Sequence, residues 1–126
     1  MSSGTASWSG AQEACQRING TLAIISNDDV KSFVRTLVAS TYSAWIGAFR
    51  PPGGSNPKIG WEWEDGTPWR CEDWASGEPK GDGYCVSYFS PLGGRWNDAS
   101  CAIDYYQYVC QKKCKGKCYY YPCCIK

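Results

Sequence analysis

Histidine is absent from this chain of 126 residues. No Cys-x-x-Cys pair takes its place, so zinc fingers and zinc hydrolases, which lean on histidine or paired thiolates, are poor candidates. The chain also lacks a Gly-x-Ser-x-Gly elbow and a phosphate-cradling glycine loop, and an enzyme is not expected. Glu62 and Glu64 lie on one strand face with no second group visible across a cleft, so they make no catalytic carboxylate pair. No apolar run approaches the roughly 20 residues of a membrane-spanning helix. The opening Met-Ser-Ser-Gly-Thr-Ala-Ser has no basic and apolar signal segment.

Cysteine, by contrast, is abundant: nine in a chain of this length mark an oxidising compartment and a disulfide-stabilised domain. A secreted, extracellular protein is the expectation. The length suits one domain, large enough for a core yet small enough that cross-links help. Net charge is +1 but unevenly placed. Residues 1–111 carry 8 basic and 12 acidic side chains, while residues 112–126 carry five lysines and no acid. An acidic body argues against nucleic acid as a partner, because that recognition needs a basic face.

The chain is organised around residues 78–101. Glu78, Asp82, Asn97 and Asp98 bring oxygen-bearing side chains from two segments, flanked by Cys85 and Cys101. Calcium takes about 6 to 8 such oxygens from irregular backbone, so these four residues are the candidate metal ligands. Ahead of them, Ser7 is a plausible N-cap for a helix with Trp8, Ala11, Ala14, Cys15 and Ile18 on its apolar side, closing at Asn19-Gly20. Asn19-Gly20-Thr21 is also a glycosylation sequon, usable in the secretory pathway. Residues 22–25 read as a strand, and Ser26 with Asp29 resembles a capping box. Val30, Phe33, Val34, Leu37 and Val38 then give the strongest helix period. Strands are expected at residues 43–49, 61–64, 84–89 and 105–110, separated by turns and aromatic-rich loops. Helices early and short strands late make an α+β domain of two helices, small antiparallel sheets and a long loop region.

Taken in order, Trp8 to Cys15, Leu22-Ala23-Ile24-Ile25, Phe33-Val34, Trp45-Ile46-Gly47, Trp61, Trp63, Asp65-Gly66, Trp74, Glu78-Pro79, Cys85-Val86, Trp96-Asn97-Asp98, Cys101 and Tyr108-Val109-Cys110 resemble the C-type lectin-like domains. The resemblance covers residues 8–110, and a domain at 1–111 followed by a basic tail at 112–126 is expected. It implies that fold and two disulfides, Cys15 to Cys110 and Cys85 to Cys101. It also implies a recognition module binding carbohydrate through the long-loop site, with a glycan or glycoprotein as partner and calcium as cofactor. The sugar contacts carried over are Glu78, Lys80, Asn97 and Asp98. The alternative is a calcium-independent module of the same family that binds a protein or another extended surface such as ice.

Two positions depart from the family's ligand pattern. Lys80 stands where sugar-binding members have Asn, and Gly83 stands where a second Glu is expected. Lysine has no acceptor lone pair, and a unit charge about 4 Å from a divalent ion costs about 8 kcal/mol at an effective dielectric of 20. Either Asp82 supplies an oxygen while Lys80 turns outward, leaving a weakened calcium site, or Lys80 pairs with Glu78 and Asp98 in the metal's place.

Trp8, Trp45, Trp61, Trp63 and Trp96 fall at core-like positions, leaving Trp69, Trp74 and Tyr84 as freer candidates for ligand contact. Glu62 and Glu64 read as a solvated strand face. Cys71, Cys114, Cys118, Cys123 and Cys124 stand outside the two bridges. Their odd number leaves one thiol free or linking two chains, so a homodimer, disulfide-linked or non-covalent, stays open. Lys115-Gly-Lys-Cys118-Tyr-Tyr-Tyr121 resembles the family's first strand, and one reading has the tail fold back beside the last strand; a flexible tail or the start of another domain is the other.

Overall fold

A computed structural model describes residues 5–38 and 42–112. Its first helix, α1, spans Trp8–Arg17. The Ser7 hydroxyl accepts from the Gly10 N–H at 3.2 Å and so caps it. Trp8, Ala11 and Cys15 form the buried stripe, and Trp8 donates its indole N–H to the carbonyl of Ile46 at 2.9 Å, tying the helix to the sheet. Asn19, at φ 61°, turns the chain through the left-handed region into β1, Gly20–Leu22. The strand expected at 22–25 therefore sits further upstream. Residues 23 and 24 instead hydrogen-bond outward, Ala23 N–H to Val109 O and Ile24 N–H to the Gln111 side chain.

The second helix, α2, spans Asp28–Leu37. Its cap is Asn27, not Ser26: the Asn27 side-chain oxygen accepts from the Val30 N–H at 3.0 Å. Asp28 and Asp29 occupy the first turn, where the helix dipole favours anions. The apolar stripe is narrower than the periodicity suggests. Val34 and Val38 are buried and Val30 packs against them, whereas Phe33 is 62% exposed.

The main sheet has the order β3-β2-β4-β5, with β6 off this path beside β2. It is built from β2 (Ser43–Phe49), β3 (Glu62–Trp63), β4 (Cys85–Phe89), β5 (Arg95–Ala99) and β6 (Gln107–Tyr108). All its pairs are antiparallel except β2 with β6. The final strand, β7 (Cys110–Lys112), pairs antiparallel with β1 in a second, two-stranded sheet. The expected strand at 105–110 is thus two strands serving two sheets. Residues 61–64 yield only β3, and Trp96-Asn97-Asp98, where no strand was expected, forms part of strand β5.

Gly47 marks the place where the two sheets touch. Its N–H donates to Ala23 O at 2.8 Å, and a Cβ there would lie 2.9 Å from the carbonyl of Leu22, so only glycine lets β2 pass that close. Glu64 serves the same junction. It is not on a solvated face: its carboxylate accepts the Leu22 N–H at 3.0 Å.

One core cluster gathers Ile24, Ile25, Val34, Ile46, Val86, Tyr88, Trp61, Trp63 and Trp96, with Trp69 and Trp74 packed against it. Trp96 lies edge-on to Trp63 and to Trp74, at 5.5 and 5.7 Å between ring centroids. Such pairs contribute about 0.5–1.5 kcal/mol each beyond area burial. A second cluster holds Trp8, Cys15, Leu22, Trp45 and Cys85.

Cys15 is bonded to Cys110, and Cys85 to Cys101, across sequence separations of 95 and 16. Chain-entropy estimates for loops of those sizes are about 4–5 and about 3 kcal/mol. The first bond clasps α1 to β7; the second holds the end of β5 to the start of β4. Cys71 is buried and also disulfide-bonded. Cys114, Cys118, Cys123, Cys124 and the proposed tail strand lie outside the described residues. Among the described residues, no helix is long and apolar enough to cross a membrane.

Candidate recognition site

Strand β5 supplies the centre of the site. Asp98, directly opposite Val86 of β4, is 3% exposed. Its Oδ1 accepts the Lys80 N–H at 3.0 Å, and its Oδ2 accepts the N–H groups of Gly81 and Gly83 at 2.9 and 3.2 Å. One strand carboxylate thereby gathers the whole 80–83 loop around itself. Burial alone would raise its pKa, but a hydrogen bond from Glu78 and the loop's N–H donors outweigh that and hold it below the usual carboxylate value.

Glu78 stands beside it, accepting the Asp98 backbone N–H at 3.4 Å through Oε1. Its other oxygen lies 3.2 Å from the Lys80 ammonium, which itself faces solvent. Desolvation, then the hydrogen bond shared with Asp98, raise the Glu78 pKa. The hydrogen bond to Glu78 and the field of the surrounding carboxylates raise that of Lys80. Lys80 is therefore a firmly charged donor seated on an acidic base.

Glu78, Lys80, Asp82, Asn97 and Asp98 all line a single cavity of about 350 Å³. Reading the sequence missed its far side, where Ser43, Ser87, Phe89, Asp104 and Tyr106 complete the wall. Ser87 had no signal in the sequence, since it faces Asn97 only once β4 and β5 have paired. Tyr106 comes from a distant segment, fixed by its ring lying 4.8 Å from that of Trp45. The freer aromatics go elsewhere. Trp69 and Trp74 pack into the tryptophan cluster, and the Tyr84 ring lies 4.8 Å beneath the buried guanidinium of Arg50.

Oxygens of Glu78, Asp82 and Asp98 lie within 4.8 Å of one another, which is the geometry of a hard-cation site in outline. The donor set nonetheless falls short of a calcium shell of about 6 to 8 oxygens. Both Asp98 oxygens are occupied by backbone N–H donors, one Glu78 oxygen holds an ammonium, and positions 80 and 83 offer no oxygen side chain. Gly83 cannot supply one in this backbone, because a Cβ there would fall 1.9 Å from the carbonyl oxygen of Ala99.

Small segregated helices, a twisted sheet closed by two disulfides and a polar cavity on the long loop define a recognition module of the lectin kind. The family model for the lectin C-type domain matches residues 4–112, and the chain belongs to that family, whose members are recognition modules rather than enzymes. It is 32% identical over 114 residues to human C-type lectin domain family 10 member A, a match covering 83% of this chain and 33% of that protein. It is 31% identical over 110 residues to the Pongo abelii secretory phospholipase A2 receptor, covering 84% of this chain and 7% of the receptor. The chain thus spans a third or less of these two relatives. Among solved structures, human lithostathine superposes with a TM-score of 0.76 at 29% identity, covering 87% of this chain and 78% of that one. The cow carbohydrate-recognition domain of CD23, solved in the presence of GlcNAc2Man3 oligosaccharide, gives 0.72 at 27%, covering 85% and 80%. Herring type II antifreeze protein gives 0.74 at 26%, covering 91% and 95%.

Proposed function

We propose that this domain is a secreted, extracellular recognition module that binds carbohydrate in the cavity between the 78–83 loop and β5, with Lys80 standing where a metal ion would. The observation that carries the reading is the Lys80 ammonium held 3.2 Å from Glu78 Oε2, with both residues lining the polar cavity. A sugar hydroxyl both donates and accepts, so it is matched by a donor set beside an acceptor set. Lys80 supplies donors, Asp82 and Glu78 acceptors, and Asn97 one of each; Ser87 and Tyr106 add hydroxyls across the cavity. The CD23 domain solved with an oligosaccharide supports the ligand class.

A glycan array probed in calcium and again in chelator tests both parts. Hits that persist unchanged in chelator are expected. Hits lost in chelator would overturn the metal-free part and return Glu78, Asp82, Asn97 and Asp98 to the role of calcium ligands. A blank array under both conditions would overturn carbohydrate binding and leave a protein or an extended surface such as ice as the ligand.

A further inference from the structure

We infer that Asn19 is an N-glycosylation site. The inference goes beyond the ligand-binding reading and shares with it only the extracellular setting. Asn19, Asn27, Asn56 and Asn97 are the chain's four asparagines, and only Asn19 is followed by any residue and then Ser or Thr. The other three have structural positions of their own. Asn27 caps α2, the Asn56 side chain accepts the Lys58 N–H, and Asn97 lines the cavity. Asn19 is exposed and sits in the turn after the α1 cap residue Ile18, at φ 61°.

The surroundings favour a bulky group at that point. Residues 16–19 are all exposed, including Ile18 at 49%, so a polar oligosaccharide on Asn19 would cover an apolar side chain that the fold leaves in water. No residue of α1 or β1 lines the recognition cavity, so the modification leaves ligand access open. Gly20 must stay glycine, because a Cβ there would meet the Gln111 carbonyl oxygen at 2.3 Å. That closeness also sets the order of events. The turn is closed by β7 pairing with β1 and by Cys15 joining Cys110, contacts spanning about 90 residues of chain. Such long-range contacts form late, so the sequon stays open while the rest of the chain is being made.

In the transfer, the Asn19 side-chain amide nitrogen forms a bond to the anomeric carbon of an oligosaccharide carried on a polyprenyl diphosphate. The anomeric C–O bond breaks, the lipid diphosphate leaves with the electron pair, and the amide gives up one proton.

The full chain, routed through the secretory pathway of a eukaryotic host by an added signal sequence, provides the test; supplying the signal separates this site from the question of native localisation. The expected result is a mass increase removed by peptide N-glycosidase, which converts Asn19 to Asp in the peptide of residues 18–31. Thr21→Ala should abolish it and Thr21→Ser should retain it, and neither disturbs the left-handed Asn19 as Asn19→Gln would. Secreted protein with both described disulfides intact and an unmodified 18–31 peptide would overturn the inference, as would modification that survives Thr21→Ala.

Discussion

Lys80 and Glu78, two residues apart on one loop, form an ion pair in which the carboxylate is buried and the ammonium is exposed. The ammonium lies 3.2 Å from one Glu78 oxygen, and the charges of Asp82 and Asp98 also act on it. Calcium should accordingly leave the melting temperature of the natural protein unchanged. Lys80→Asn removes the ammonium and restores an oxygen, and should introduce a calcium response. Once calcium exceeds its Kd, each tenfold increase adds about 1.4 kcal/mol to stability. With position 83 still lacking a ligand, that response should begin only in the millimolar range typical of weak extracellular calcium modules. Thermal melts across a calcium series check it, and a calcium shift in the natural protein as large as the variant's would refute the account.

Asp98 holds the 80–83 loop through three backbone N–H groups. Asp98→Asn keeps shape but turns one acceptor into a donor facing the N–H groups of Lys80, Gly81 or Gly83. Leaving such a buried donor unsatisfied costs about 1–3 kcal/mol, with more where the acceptor was charged. The variant should lose at least that much in denaturant unfolding, and lose glycan binding as the loop loosens. An unchanged unfolding midpoint would mean that the loop is held by something else.

Gly83 limits what one substitution can restore. A Cβ at that position would overlap the Ala99 carbonyl, and the obstacle is backbone, which yields less readily than a side chain. Gly83→Ala should cost about 1–3 kcal/mol, the range for forced overpacking, and Gly83→Glu should destabilise similarly without adding calcium affinity to Lys80→Asn. Tighter calcium binding by the double variant than by Lys80→Asn alone would show that the loop can shift to admit a ligand there.

How legible the site was in the sequence depended on how local its causes are. Helix α1 and strand β2 could be placed because a serine cap and a run of apolar residues act over neighbouring positions. Helix α2 was recognisable by its period, but its start was misplaced by one residue, since Ser26 and Asp29 mimic a capping box while Asn27 makes the bond. Strand β5 was hidden because Arg-Trp-Asn-Asp-Ala is a poor strand sequence; aspartate and asparagine are depleted in strands. Pairing with β4 imposes the extended form. The cavity's far wall was invisible for the same reason: Tyr106 and Ser87 come to line one cavity only through long-range register and the tilted packing of Tyr106 against Trp45.

Glu64 shows such a long-range partnership with a pH signature. Its carboxylate accepts the N–H of Leu22, 42 residues away. Desolvation is the main influence and raises its pKa above 4.5, with hydrogen bonds from Gln12 and Leu22 opposing and Asp65 reinforcing. A carboxyl whose folded pKa is raised holds its proton more tightly in the native than in the unfolded state. Between the two pKa values the unfolded state binds fewer protons, so this group's contribution to stability falls as pH rises from about 4.5 upward and then levels off. Glu64→Gln keeps an oxygen for Leu22 and removes the titration. Relative to the natural protein, the variant should therefore gain stability between pH 4 and pH 7, whereas Glu64→Ala, which strands the Leu22 N–H, should lose about 1–3 kcal/mol at both. Unfolding curves for the three proteins at the two pH values check this, and a Glu64→Gln protein whose stability relative to the natural one falls over that interval would reverse the assigned sign.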